Sequence, residues 1–286
     1  MRDHRIWELA KRQWLGCAGA VVLATIVLGA LLAPVLAGYD PDYQLPDGIS
    51  ATGDPLPPSA SHLLGTDALG RDLLSRLLYG ARTSLLIGIA ANGLSVAVGT
   101  ALGVIAGYLR GAIGGAIMRL TDLMMAFPAL LLAIALSAIF QPSLWLVAIV
   151  IALVNWAHFA RIIYTQTVSL AERDFVTATR SLGARPSYVL VHHMLPHLVP
   201  TILVWATLGV AATVLLEATL SYLGIGVRPP TPSWGNIIFE NQTYLSSAPW
   251  LVFCPGIAIA LLAFSCNLVG DALRDILDPH EIGKAR

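Results

Sequence analysis

Six stretches of the chain, roughly 14 to 37, 84 to 108, 117 to 139, 143 to 163, 198 to 223 and 250 to 270, are predominantly apolar over 20 residues or more. About 20 such residues are what an α-helix needs to cross the hydrocarbon of a bilayer. Runs such as Leu130 to Leu136 are continuous, whereas the strands of a membrane β-barrel alternate over about ten residues. The pattern therefore predicts an all-α integral membrane protein with six transmembrane helices. With 12% charged residues and a mean hydropathy of +0.73, the apolar surface is too large for a water-soluble core.

Basic residues orient the spans. With both termini in the cytoplasm, Arg2, Arg5, Lys11, Arg12, Arg110, Arg119, Arg161, Arg173, Arg180, Arg185, Arg274, Lys284 and Arg286 lie inside, and only Arg71, Arg76, Arg82 and Arg228 lie outside. That asymmetry follows the positive-inside bias and predicts a multi-pass protein of a cytoplasmic (inner) membrane. A formal net charge of zero and the lack of a basic cluster argue against nucleic acid as a partner. Cys17, Cys254 and Cys266 fall in predicted spans without ligand spacing, so they read as packing residues rather than as a metal site or a disulfide.

Residues 1–37 imitate a signal peptide, with Arg2, Arg5, Lys11 and Arg12 before an apolar run and Val35-Leu36-Ala37 after it. The run exceeds the 7 to 15 residues usual for a cleaved leader, which favours an uncleaved first anchor. A Pro-, Asp- and Gly-rich segment from Gly38 to Ala60 reads as an extended outer loop. Leu73, Leu74, Leu77, Leu78 and Ala81 then share one helical face, with Asp72, Arg76 and Arg82 off it, predicting an amphipathic helix in the membrane interface. The expected organisation is 1–37 as cytoplasmic start and anchor, 38–83 as outer loop with interfacial helix, 84–271 as the core, and 272–286 as a cytoplasmic tail.

Within the core, Gly99, Gly103 and Gly107 recur every four residues. Small residues so placed let helices approach closely in lipid, either within this chain or between subunits. Ionisable residues inside spans are candidates for a pathway or gate because burying charge in lipid is costly. Asp122 follows Arg119 by one turn, so an internal ion pair competes with a pathway role. Glu217, flanked by Thr213 and Ser221, is either satisfied structurally or part of a gate. His158 and Arg161 near Trp156 read as interface anchors, with a gate or proton relay as the alternative. His192 and His193 are adjacent, do not share a face and make a poor metal pair, so no metal site is expected.

The most polar inner segment, 169–197, is a helix-Gly-helix elbow. Phe175, Val176, Thr179 and Leu182 share a face, Gly183 permits a turn, and Pro186 suits the start of a second short helix ending before Pro196. Thr177-Ala178-Thr179, Gly183, His193 and Leu195-Pro196 occupy the places of the coupling (EAA) loop in binding-protein-dependent ABC importer permeases, which this segment resembles. Further stretches resemble the second, "C" permease of dipeptide, oligopeptide and nickel importers: His62 to Asp72, Ser75-Arg76, Gly80 to Leu85, Asp122 with Phe127-Pro128, Leu220 to Gly226, Pro229 to Gly235, and Asn267 to Pro279. The similarity runs from about Tyr39 to His280.

The resemblance implies a type I ABC importer permease fold, five core helices preceded by one. It implies a homologous second permease, two ATPase subunits carrying ATP and Mg, and an extracytoplasmic binding protein. In that family the elbow docks on an ATPase, which here points to Arg173, Asp174, Phe175, Thr177, Ala178, Arg180, Ser181, Leu182, Gly183, Ala184 and Pro186. The chain lacks the Gly-rich Lys-Ser/Thr loop that cradles ATP phosphates, so it is expected to be a non-catalytic subunit binding no cofactor itself. Di- or oligopeptides are the implied cargo. A nickel or other small-solute importer shares the architecture, His280 after Asp-Pro resembling nickel permeases. An ion-driven transporter, which would show internal repeats, or an intramembrane enzyme, which would need a nucleophile and base within the spans, is the alternative of another class.

Overall fold

The structure is a computed structural model that describes residues 13–140 and 143–277. The basic residues before Gln13, the Asp-Pro-His280 sequence and the final tail lie outside the described residues. In chain order the helices are α1 (Trp14–Leu31), α2 (Ala33–Leu36), α3 (Leu73–Leu109), α4 (Gly111–Ala126), α5 (Ala129–Ile139), α6 (Leu144–Ala171), α7 (Asp174–Ser181), α8 (Pro186–Tyr222), α9 (Trp234–Asn241) and α10 (Trp250–Leu277). Among the described residues the only β structure is two isolated bridges, Ile49 with Pro55 and Thr66 with Asp72.

Five helices, α1, α3, α6, α8 and α10, are long and apolar enough to cross a membrane. The sixth expected span is broken. Helices α4 and α5 meet at an 89° bend at Phe127-Pro128. Proline disfavours helical backbone at the residue before it, and Phe127 is accordingly extended (φ −86°, ψ 134°).

The expected interfacial helix is corrected as well. Its residues are the first turns of α3, a single 37-residue helix whose start is capped by Asp72 accepting from the Ser75 amide. At 1.5 Å per residue it is about 55 Å long, so it extends beyond the hydrocarbon rather than lying along it. Asp72 and Arg76, assigned to the polar face, are buried, because the loop 38–72 folds back over them.

α3 and α6 form the central pair. A Cβ on Gly99 would come within 2.5 Å of Phe159 Cβ, on Gly103 within 2.6 Å of the Ala160 carbonyl, and on Gly107 within 2.7 Å of Thr167 Cβ. The glycine stripe is thus filled by α6 of the same chain. A core of Ala81, Leu85, Val214, Trp234, Leu262 and Cys266 ties α3, α8, α9 and α10 together, and α1 packs along α10 through Gly16 and Gly19.

The second elbow helix does not end before Pro196. It continues through a π-helical segment, Val189–Met194, into the span that ends at Tyr222. A widened turn shifts hydrogen bonds from i−4 to i−5, and it absorbs a proline that has no N–H to give.

Candidate coupling elbow and membrane path

α7 hangs between the ends of α6 and α8. Val176 is fully buried with Ala171, Val189 and Met194. Phe175 stacks on His197 (centroids 5.0 Å apart), and Arg180 lies over the Tyr108 ring at 4.3 Å. Arg110 at the end of α3 pairs with Glu172 at 3.0 Å. α7 is therefore fixed to three spans.

Gly183 takes φ +80° and reverses the chain, with its amide donating to Arg180 O and the Ala184 amide to Thr179 O. The face expected to hold Phe175, Val176, Thr179 and Leu182 splits here: Val176 points inward, while Leu182 is 88% exposed. Beside it Ala184, Arg185, Ser187, Tyr188, Val191 and His192 line an open groove of about 560 Å³, where Tyr188 stacks on His192 at 4.5 Å. Arg173, Asp174, Thr177, Ala178, Arg180, Ser181 and Pro186 are exposed around this tip.

Glu217 is fully enclosed. Its Oε1 accepts from Ser221 Oγ at 2.7 Å and its Oε2 from Ser84 Oγ at 3.0 Å. Ser221 Oγ also accepts from the Val227 amide, and Ser84 Oγ from the Trp234 amide. One carboxyl group thus joins α3, α8 and the loop into α9, while Thr213 makes no bond to it. Gly226 and Gly235 let that loop close: a Cβ on Gly226 would collide with Ser221, and one on Gly235 would meet Ala218 O at 2.5 Å.

Asp122 does not pair with Arg119. It forms an ion pair with Arg161 of α6, because the helix crossing offers a closer cation than the same helix does. His158, expected as an interface anchor, lies at mid-helix because α6 runs on to Ala171, and it is exposed beside a buried Trp156.

Sequence reasoning missed a buried ionic cluster at the opposite end of α3 from the elbow. Arg71 donates to Asp67 Oδ2 and to Glu240 Oε2, both at 2.7 Å. Arg76, 0% exposed, donates to the same Glu240 oxygen at 2.9 Å and to Pro41 O at 3.2 Å. Alongside, His62 Nδ1 and Asp72 Oδ1 share a hydrogen bond of 3.1 Å. Only the Asp67-Arg71 spacing was a local signal; Glu240 comes from α9.

A bundle of broken and continuous spans around a helix-Gly-helix elbow has the architecture expected of an ABC importer permease. The model for "binding-protein-dependent transport system inner membrane component" matches residues 99–282, and that for the "N-terminal TM domain of oligopeptide transport permease C" matches residues 4–58. The chain belongs to the binding-protein-dependent transport permease family. It is 42% identical to a di/tripeptide transport system permease of Pseudomonas aeruginosa over 96% of this chain and 90% of that one. It is 39% identical to a dipeptide permease of Alkalihalophilus pseudofirmus (94% and 87% covered) and 37% identical to an oligopeptide permease of Bacillus subtilis (93% and 85%). The fold resembles that in the inward-facing MetNI methionine ABC transporter, with a TM-score of 0.59 and 16% identity over 71% of this chain and 96% of the other. The architecture is that of a type I ABC importer permease.

Proposed function

We propose that this chain is one permease subunit of an ATP-driven importer of di- and oligopeptides. It forms the membrane path with a homologous permease, takes peptide from an extracytoplasmic binding protein, and is moved by two ATPases that hold the ATP and Mg. The chain itself is non-catalytic and binds no cofactor, and its elbow and both termini are cytoplasmic.

The carrying observation is the elbow. α7 is anchored on one side by Val176, Phe175 and Arg180, and on the other presents the exposed Leu182 and an open groove. An element fixed to three spans and bare at its tip transmits a push at the tip to the bundle. ATP shifts the access equilibrium only through contacts that differ between the two states, and the elbow is where they would be made. The peptide cargo rests on the names of the relatives.

Gly183→Asp tests the docking. No atom lies within 4 Å of a Cβ built at Gly183, so the new side chain points into the space an ATPase would fill. The left-handed backbone costs an L-residue about 1 to 2 kcal/mol, and Asp tolerates it better than most. The variant is expected to insert normally and to lose ATP-dependent peptide uptake. Uptake at the parent rate would overturn elbow docking.

A further inference from the structure

Halfway along α6 and α8, Asn155, His158, Phe159, Trp205, Gly209 and Thr213 are among the residues lining a half-open cavity of about 190 Å³. That is room for roughly six water molecules. Its position is at odds with a lipid-facing wall. His158 is exposed at mid-span and Asn155, three residues before it on the same face, is half-buried. A polar side chain at that depth faces water, a bundle interior or a substrate rather than hydrocarbon.

Two buried polar atoms at the cavity have no partner. Thr213, 1% exposed and itself in the lining, leaves its hydroxyl unbonded. Asn92 of α3, 3% exposed, donates its amide to Ala206 O at 2.6 Å but leaves Oδ1 unpaired. That Oδ1 sits directly behind Gly209, where any Cβ would collide with it. An unsatisfied buried group costs about 1 to 3 kcal/mol unless something bonds it.

We propose that this cavity is a main-chain subsite for the passing peptide, contributed by this subunit to the shared path. The inference rests on the importer reading above. Asn155, His158 and Thr213 supply hydrogen-bond donors and acceptors, matching a peptide bond, which carries one N–H and one C=O. Phe159, Ile162, Trp205, Leu208 and Ala212 form apolar walls for whichever side chain comes with it. Recognition of the amide rather than of the side chain would suit cargo of varied sequence, and a few hydrogen bonds are weak enough to release it.

The test uses the whole transporter in proteoliposomes, with both permeases, the ATPases and the binding protein. The probe is alanyl-photoleucine, irradiated during turnover and mapped by mass spectrometry. Thr213→Val, nearly isosteric, and His158→Phe are assayed in parallel for peptide carried per ATP hydrolysed. Label on the 155–162 or 205–213 stretches, with peptide carried per ATP falling about fivefold or more in both variants, is expected. Transport with no label there and an unchanged ratio in both variants would overturn the subsite and leave the importer intact. A cross-link from these stretches to the second permease in place of peptide would assign the cavity to subunit packing and likewise overturn it. A complex that carries no peptide at all would sink both readings.

Discussion

At one end of α3, Arg71 and Arg76 are buried against Asp67 and Glu240 under the folded loop 38–72; at the other, Arg110 pairs with Glu172 in the open and Leu182 projects into solvent. The first end makes its contacts within this chain, with charged groups that are strongly coupled because water is excluded from them. The second is anchored on one side and left bare on the other. A buried charge pair makes one geometry costly to leave, whereas an exposed pair is worth little. The contrast separates an end that holds its shape from one with an open face, the face proposed to dock the ATPase, and substitutions can be ranked by how far they disturb that division.

Glu240→Ala carries the largest expected effect. It removes the acceptor shared by Arg71 and Arg76, leaving two guanidinium groups short of a partner in a buried site. Breaking a buried pair in this way costs about 3 to 5 kcal/mol. Thermal unfolding in detergent is expected to show a marked loss of stability, and Glu240→Gln, which retains one acceptor oxygen, to recover part of it. Unchanged stability in the Ala variant would remove the distinction between the two ends.

Glu217→Gln comes next and probes the membrane interior between them. Ser221 and Ser84 each donate to the carboxyl group and each already accept from a backbone amide. An amide NH2 turned toward either hydroxyl puts two donors against it, at a cost of about 1 to 3 kcal/mol. Reduced stability with peptide uptake per folded complex preserved is expected, and uptake abolished in a fully assembled complex would assign Glu217 to a gate.

These rankings also show where sequence reasoning stopped. Local periodicity is enough for five of the six spans, for the glycine stripe of α3 and for the turn at Gly183, because each is decided by residues within a few turns. Partners distant in the chain were not legible. Arg76 looked like the wet side of an amphipathic helix, yet Glu240, 164 residues away, draws it inside. Asp122 had a cation one turn away and took Arg161 from another helix instead. Pro196 looked like a helix end because a regular turn requires an amide it lacks; the π-segment at Val189–Met194 removes that requirement. The Phe127-Pro128 pair is by itself a sufficient local signal for the break between α4 and α5.

Leu182→Ala has the smallest expected effect on stability and sharpens the comparison most. Leu182 is 88% exposed, so truncating it removes almost no contact within the chain, and the change in stability is expected to stay within about 0.5 kcal/mol. If the elbow seats this side chain in an ATPase cleft, the same truncation forfeits roughly 1.5 to 3 kcal/mol of burial on docking. That corresponds to an affinity loss of about tenfold to a hundredfold. Titrating purified ATPase onto the permease pair in detergent measures it directly. Val176, fully buried on the other side of the same helix, supplies the converse: Val176→Ala lowers stability while leaving the exposed tip chemically intact. Two substitutions six residues apart in one short elbow are thus expected to act on different quantities, one on the fold and one on the partner. Equal effects of both on stability, with none of Leu182→Ala on ATPase affinity, would make the elbow part of the fold rather than a docking surface.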